Sequence, residues 1–548
     1  MKKTLLSLCA AGALCLPTAQ AQADSALAPA LTLVAGILNV GVFPKSDRYT
    51  TDDDIVVVAN DGTELAANIF VPNQPGLKPA VIFINSWALN EYEYLTEAAR
   101  FAEEGYVVLS YSTRGFGTSG GLIDTAGPQD MADLSKVIDY LIANYEVDPQ
   151  RIGTAGISYG AGMSLLGAAH DPRIRAVASL SGWGSLQDAL YADQTPRLVW
   201  GELLTLSSGL LGNPDPIIEE QWNKVLSGTD VESVYPWTDL RSPLNYVEQI
   251  NANGTAIYMA QNYGDNLFQP NSVLRLFGQL DVPKHIDLQA GTHAFPEIIG
   301  MIGGGNTKVL NNMHRWFAEH LKGETGAMNG QAPVQMKTKL TSNWEGFSDF
   351  PLPEARTQTW HLHPRSLFSN GKLDDSPYQN RRVTETRINS LLDSVASTQV
   401  PIVAELLEQA DVPVTAPMTL LLRNHSVAFD SGRLSSGMKI RGIPQLSMAV
   451  EPQHSNLQLV AYLYDVNALG IGTLITHAPV TLPHTTAGKT EQVNLDLVAV
   501  SYDIKPGNRL MLVVDTQDLL YAKPAKSYFA ADFRFGGNLT STLSVPVL

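Results

Sequence analysis

The chain has 548 residues, room for two to four folded units at about 150 residues each. With 44% hydrophobic, 17% charged and 8% aromatic residues, it is excluded from the disordered, collagenous and coiled-coil classes. Set against 54 acidic residues, 37 basic ones leave a net charge of −17 with no Lys/Arg-rich run, which argues against nucleic acid or an anionic membrane as the main partner.

Lys2 and Lys3 precede an uncharged, leucine-rich run that ends in overlapping Ala-Gln-Ala triplets at Ala19 to Ala23. That pattern predicts a secretory signal peptide over residues 1–23 and export to a periplasm or the cell exterior. Cys9 and Cys15 both lie inside it, so the mature chain is expected to hold no disulfide, thiolate metal site or cysteine nucleophile. Residues 25–44 form a second uncharged stretch, interrupted by Pro29, Gly36, Asn39 and Gly41. We expect an N-terminal segment (24–52) packed on the body and no membrane anchor.

From residue 53 apolar runs alternate with helical patterns. Residues 55–58, 67–71, 80–84 and 106–110 read as strands, and 91–104 and 130–144 as helices, the second capped by Gln129 or Asp130. This alternation predicts a mostly parallel sheet. The strand pattern stops after residue 180. Residues 184–242, rich in Leu, Trp and helix formers, read as an inserted helical cap. Strands resume at 256–260 and 286–290, a helix at 313–321 closes the unit near residue 325, and residues 322–333 read as a linker. Residues 326–548 carry short alternating segments separated by turns, the texture of a β-sandwich or jelly roll.

Gly156-Ile157-Ser158-Tyr159-Gly160 matches Gly-x-Ser-x-Gly, and so does Gly117-Thr118-Ser119-Gly120-Gly121. The string alone arises by chance in about one chain in four of this length. Only Ser158 lies between a strand-like run (151–155) and a helix of small residues (161–169), the setting of a nucleophile elbow. The turn aims the Tyr159 amide and the helix N-terminus at a developing oxyanion.

In this arrangement the partners follow in the order serine, acid, histidine, each on a loop after a later strand. His293, in Gly291-Thr292-His293, fits better than His285, His314 or His320. Asp265, in Tyr263-Gly264-Asp265, fits better than Asp281 or Asp287. The second oxyanion donor is expected in the loop after residues 80–84, at the Ser86 or Trp87 amide. Trp183 and Phe268 are candidates for the substrate pocket; Trp87, Trp200, Trp222 and Trp237 either line it or pack in the core.

Gly115-Phe116-Gly117-Thr118-Ser119-Gly120 contains Gly-x-Gly-x-x-Gly, but three strands precede it and no helix follows at once, which argues against a dinucleotide site. No metal constellation or cofactor motif stands out.

The order Gly-x-Ser-Tyr-Gly, Arg241-Ser242-Pro243, Gly264-Asp265 and Gly291-Thr292-His293, with a β-rich tail containing Asp465-Val466 and Gly507-Asn508-Arg509-Leu510, resembles the Xaa-Pro dipeptidyl-peptidase and cocaine esterase-like serine hydrolases. The resemblance covers nearly the whole mature chain. It implies an α/β-hydrolase core with an inserted helical cap and a C-terminal jelly roll, and Ser158, Asp265 and His293 as a triad. Two departures stand out: Trp87 occupies a place where relatives often carry an oxyanion-hole Tyr, and Asn266-Leu267-Phe268 replaces the acids that hold a substrate ammonium in α-amino-acid ester hydrolases. Asp193, Glu202 or Glu297 remain to supply such a charge. The expected partner is a small-molecule ester or a short peptide cleaved through an acyl-serine; a non-catalytic binding protein on the same fold is the alternative. The sequence does not fix the oligomeric state.

Overall fold

The computed structural model describes residues 42–392, 394, 407–523 and 528–548. The signal peptide, both cysteines and most of the second uncharged stretch lie outside them. Among the described residues no helix is long and apolar enough to cross a membrane.

The first sheet has ten strands in the order β1-β2-β4-β3-β5-β6-β7-β8-β9-β10. β1 (Tyr49–Val58) and β2 (Glu64–Pro72) form an antiparallel hairpin at one edge. β3 (Lys78–Ile84), β4 (Val107–Tyr111), β5 (Val147–Ile157), β6 (Ile174–Leu180), β7 (Ala256–Asn262) and β8 (Lys284–Gln289) run parallel. The central strands read as unbroken apolar runs because both faces are covered. Alternate residues of one strand feed two separate cores: Ile82 and Leu109 pack on one side, Val81, Phe83 and Val108 on the other. Helices Pro128–Asn144, Tyr159–His170 and Pro270–Gln279 cover the first face; Leu95–Glu103 and Lys308–Lys322 cover the second.

Three local expectations change. Helix Pro128–Asn144 starts earlier than predicted. Gly127 is its N-cap and Pro128 opens its first turn, while the Asp124 carboxylate accepts from the Gln129 amide at 2.8 Å and the Asp130 amide at 3.3 Å. Strand β1 begins at Tyr49, inside the stretch read as a leading segment, because hairpin pairing extends the polar run Thr50 to Asp54 despite its acidity. Most consequential, β9 (Val334–Lys337) and β10 (Trp344–Phe347) lie beyond the predicted linker, yet they complete the first sheet, β9 pairing parallel to β8. The hydrolase sheet therefore continues past residue 325.

The inserted segment is helical as expected, with helices Leu186–Tyr191, Leu198–Leu211, Pro216–Ser227 and Tyr235–Asp239. The remaining strands, β11 (Arg356–His363) to β24 (Thr542–Val547), form an all-β domain that folds around its own core, with Leu446, Leu459, Leu463 and Leu512 at its centre. It touches the catalytic layer directly: the Asn271 amide group donates to Leu497 O at 2.9 Å, and its Oδ1 accepts from Ala499 N at 2.8 Å.

Candidate active site

Ser158 stands between the end of β5 and the start of helix Tyr159–His170 at φ 56°, ψ −112°, a conformation that costs a non-glycine residue about 1–3 kcal/mol. The flanking glycines make the turn possible. A Cβ on Gly160 would lie 2.0 Å from the Ile84 carbonyl oxygen, and one on Gly156 2.6 Å from the Gly160 carbonyl carbon. The Ser158 amide donates to Leu180 O at 2.9 Å, tying the turn to β6. A Cβ on Gly162 would meet the Trp183 ring at 2.1 Å, so the small residues of this helix make room for an aromatic wall.

The Ser158 hydroxyl is 2.8 Å from His293 Nε2, and His293 Nδ1 is 2.8 Å from Asp265 Oδ2. The other Asp265 oxygen accepts from the Leu267 and Phe268 amides at 2.9 and 2.7 Å, so both oxygens of this fully buried carboxylate are engaged. With Nδ1–H donated to Asp265, Nε2 is left to accept from the serine. The His293 ring is enclosed edge-on by Phe268 (4.9 Å between centroids) and Trp200 (5.3 Å). The rejected pair, His285 and Asp287, bond each other at 3.1 Å, and Asp287 also accepts from Tyr258 and Asn312. They form a buried structural network.

One oxyanion assignment is corrected. The Ser86 amide donates to Glu93 Oε2 at 2.6 Å, and its hydroxyl lies 2.6 Å from Glu93 Oε1 and 3.0 Å from Ile157 O. Ser86 thus fastens the loop after β3 to the elbow and does not offer its N–H to Ser158. The Trp87 indole N–H donates to Leu204 O of the cap at 3.1 Å, so among Trp87's donors the backbone amide is the one left for an oxyanion. Tyr159 is the first residue of its helix, and its amide is among the first-turn groups without an intrahelical acceptor.

Two buried acids that sequence reasoning missed support this frame. Burial pushes the Glu93 carboxyl up to about 7. Burial, reinforced by Asp124, does the same to Asp130, pushing it to about 7; Asp130 accepts from the Tyr159 hydroxyl at 2.6 Å. Both looked like ordinary polar positions at helix starts.

A cavity of about 90 Å³ opens beside Ser158, walled by Trp87, Trp183, Trp222, Trp237 and Phe268 together with cap aliphatics; among the described residues no charged side chain lines it. The three acids held in reserve point elsewhere. Glu202 accepts from the Trp222 indole, and Glu297 is buried against Asn262 and Gln289. Asp193 lies in a separate polar cleft with Asp188, Arg275 and Asp496. The glycine-rich loop is structural: Arg114 pairs with Asp133 and Asp61, and a Cβ on Gly115 would sit 2.5 Å from Ile123 N, leaving no phosphate cradle there.

Comparison with known proteins adds family evidence. Residues 61–295 match the model of the X-Pro dipeptidyl-peptidase S15 family, and residues 324–527 that of the X-Pro dipeptidyl-peptidase C-terminal non-catalytic domain. The chain is 20% identical to the cocaine esterase of Rhodococcus sp. (strain MB1 Bresler) over 86% of its own length and 91% of the relative's. Two other curated relatives, uncharacterized proteins 32% and 38% identical, match over only 33% and 29% of their own length. Among solved structures, a CocE/NonD family hydrolase from Staphylococcus aureus superimposes with a TM-score of 0.72 at 15% identity, covering 91% of this chain and 94% of the other. An alpha-amino acid ester hydrolase gives 0.70 at 15% identity, covering 92% and 98%.

Proposed function

Because the chain belongs to the X-Pro dipeptidyl-peptidase and cocaine esterase-like family of serine hydrolases, we propose that it is an exported esterase using Ser158, His293 and Asp265 as its triad. The observation that carries the choice of ester over peptide is the uncharged, aromatic cavity beside Ser158. A substrate with a free α-ammonium needs a carboxylate to replace its hydration, and the nearby acids are committed to other partners.

The chemistry follows from the hydrogen-bond chain. His293 Nε2 takes the Ser158 proton as Oγ attacks the ester carbonyl, and Asp265 holds the resulting imidazolium in place. The Tyr159 and Trp87 amides meet the oxyanion. The imidazolium then protonates the departing alkoxide, leaving an acyl-serine, and a water activated by the same histidine releases the acid and restores the serine.

The test is hydrolysis of p-nitrophenyl butyrate beside Gly-Pro-p-nitroanilide by the mature protein and by Ser158→Ala. Ester cleavage lost by about four orders of magnitude in the variant is the expected outcome. Cleavage of the anilide would make the protein a dipeptidyl-peptidase instead, and absence of both activities would favour a binding role. Export rests on the Lys2-Lys3 and Ala-Gln-Ala pattern and is checked by the N-terminus of the secreted protein, expected at Gln22 or Asp24.

A further inference from the structure

A second cavity, of about 280 Å³, lies between the cap and the all-β domain, lined by Gln194, Pro196, Thr481 and His484 among others. Tyr191 and Val225 line both. Tyr191 ends helix Leu186–Tyr191, and Val225 sits on helix Pro216–Ser227. With Trp222, Val231 and Val234 they form a small apolar cluster of their own within the cap.

The turn after Tyr191 is unusual. Asp193 and Gln194, neither a glycine, take φ 49° and 56°, and such strain persists only where surroundings over-determine it. Here the surroundings belong to the all-β domain. Thr195 Oγ1 lies 2.8 Å from Thr481 Oγ1, the Ala522 amide donates to Pro196 O at 3.0 Å, and the Arg197 guanidinium stands 5.0 Å from the Tyr521 ring centroid.

We propose that Tyr191, backed by Val225 and held by the all-β domain, is the depth stop of the acyl cavity, so that it sets the longest linear acyl group the enzyme accepts. The inference rests on the esterase reading of Ser158. It identifies the substrate class as esters whose acyl group ends short of Tyr191, and gives the all-β domain a part in specificity although it lends no group to the chemistry. Because Tyr191 lines both cavities, removing its ring is expected to join them into one channel.

The experiment has two arms. In the first, kcat/KM is measured for p-nitrophenyl esters from acetate to palmitate with the wild type and Tyr191→Ala. The ratio of long-chain to short-chain kcat/KM is expected to rise at least tenfold in the variant; a profile parallel to that of the wild type overturns the proposal. In the second, binding of linear 1-alkanols of increasing length is measured calorimetrically on Ser158→Ala and Ser158→Ala/Tyr191→Ala. Affinity is expected to grow about fourfold per methylene up to a limit in the first protein and beyond that limit in the second. A limit at the same carbon number in both overturns the proposal. Failure of the esterase reading has a different signature: no ester is cleaved in a Ser158-dependent way, while the alkanol series still reports the partition. Val225→Ala, which thins the same wall from the other helix, is expected to lengthen the accepted chain if Tyr191→Ala does not fold.

Discussion

Two loops of this molecule carry the same five-residue pattern. At Gly117 to Gly121 the chain leaves β4 and bends back on the β1–β2 hairpin. Ser119 donates to Ser112 O at 2.8 Å and accepts from the Ala66 amide at 2.9 Å, so its hydroxyl is spent on the turn. At Gly156 to Gly160 a strand ends and a helix begins, Ser158 takes a strained backbone, and its hydroxyl meets His293. The closing glycines differ too: a Cβ on Gly121 would approach only the Thr63 and Arg114 side chains, at 3.2 Å and beyond, whereas one on Gly160 would meet a backbone oxygen at 2.0 Å. The pattern becomes a reactive site only where strand, helix and neighbouring backbone leave the serine no local partner.

The comparison breaks most sharply at the serines. Ser158→Ala is expected to lower ester hydrolysis by about four orders of magnitude, while Ser119→Ala leaves kcat unchanged; equal losses in both would remove the distinction. Next come the glycines. Gly160→Ala must push the elbow off Ile84 and is expected to cost more than about 3 kcal/mol, measured by urea unfolding, against about 1–2 kcal/mol for Gly121→Ala, where only the positive φ of 78° resists a side chain.

A third prediction concerns the frame behind the elbow. The Glu93 carboxyl titrates near 7 in the folded protein, raised from 4.5 by burial. A raised acid binds its proton more tightly folded than unfolded, so the stability it contributes is complete below about pH 4.5 and lost as pH climbs through 7. The wild type is expected to lose on the order of 3 kcal/mol between pH 4.5 and 8 from this group. Glu93→Gln should flatten that slope, and a thermal-unfolding profile as steep as the wild type's would show that another group sets it. The smallest effect is expected at Ser119 itself, where losing the hydroxyl costs about 1 kcal/mol of stability.

The strands that flank the site were readable because residues 80–84, 106–109 and 256–260 are apolar without interruption, which only a sheet covered on both faces requires. The positions of Ser158, Asp265 and His293 were readable because each lies on a loop after a strand-like run, at 151–155, 256–260 and 286–290. Ser86 was misassigned because the direction of its amide is set by a carboxylate seven residues on, whose burial leaves no periodic trace. The end of the hydrolase sheet was missed for a related reason. Four residues, Val334 to Lys337, are too short to declare themselves a strand until β8 is there to pair with them.

That short parallel strand has a consequence for synthesis. His293 leaves the ribosome some forty residues before the strand that covers the outer edge of β8, so a nascent chain that has made its whole triad still presents an unpaired strand edge. Such edges recruit other extended chains. A polypeptide ending at residue 325 would keep that edge permanently, and we expect it to aggregate, whereas one ending beyond Phe347 closes the sheet with its own hairpin.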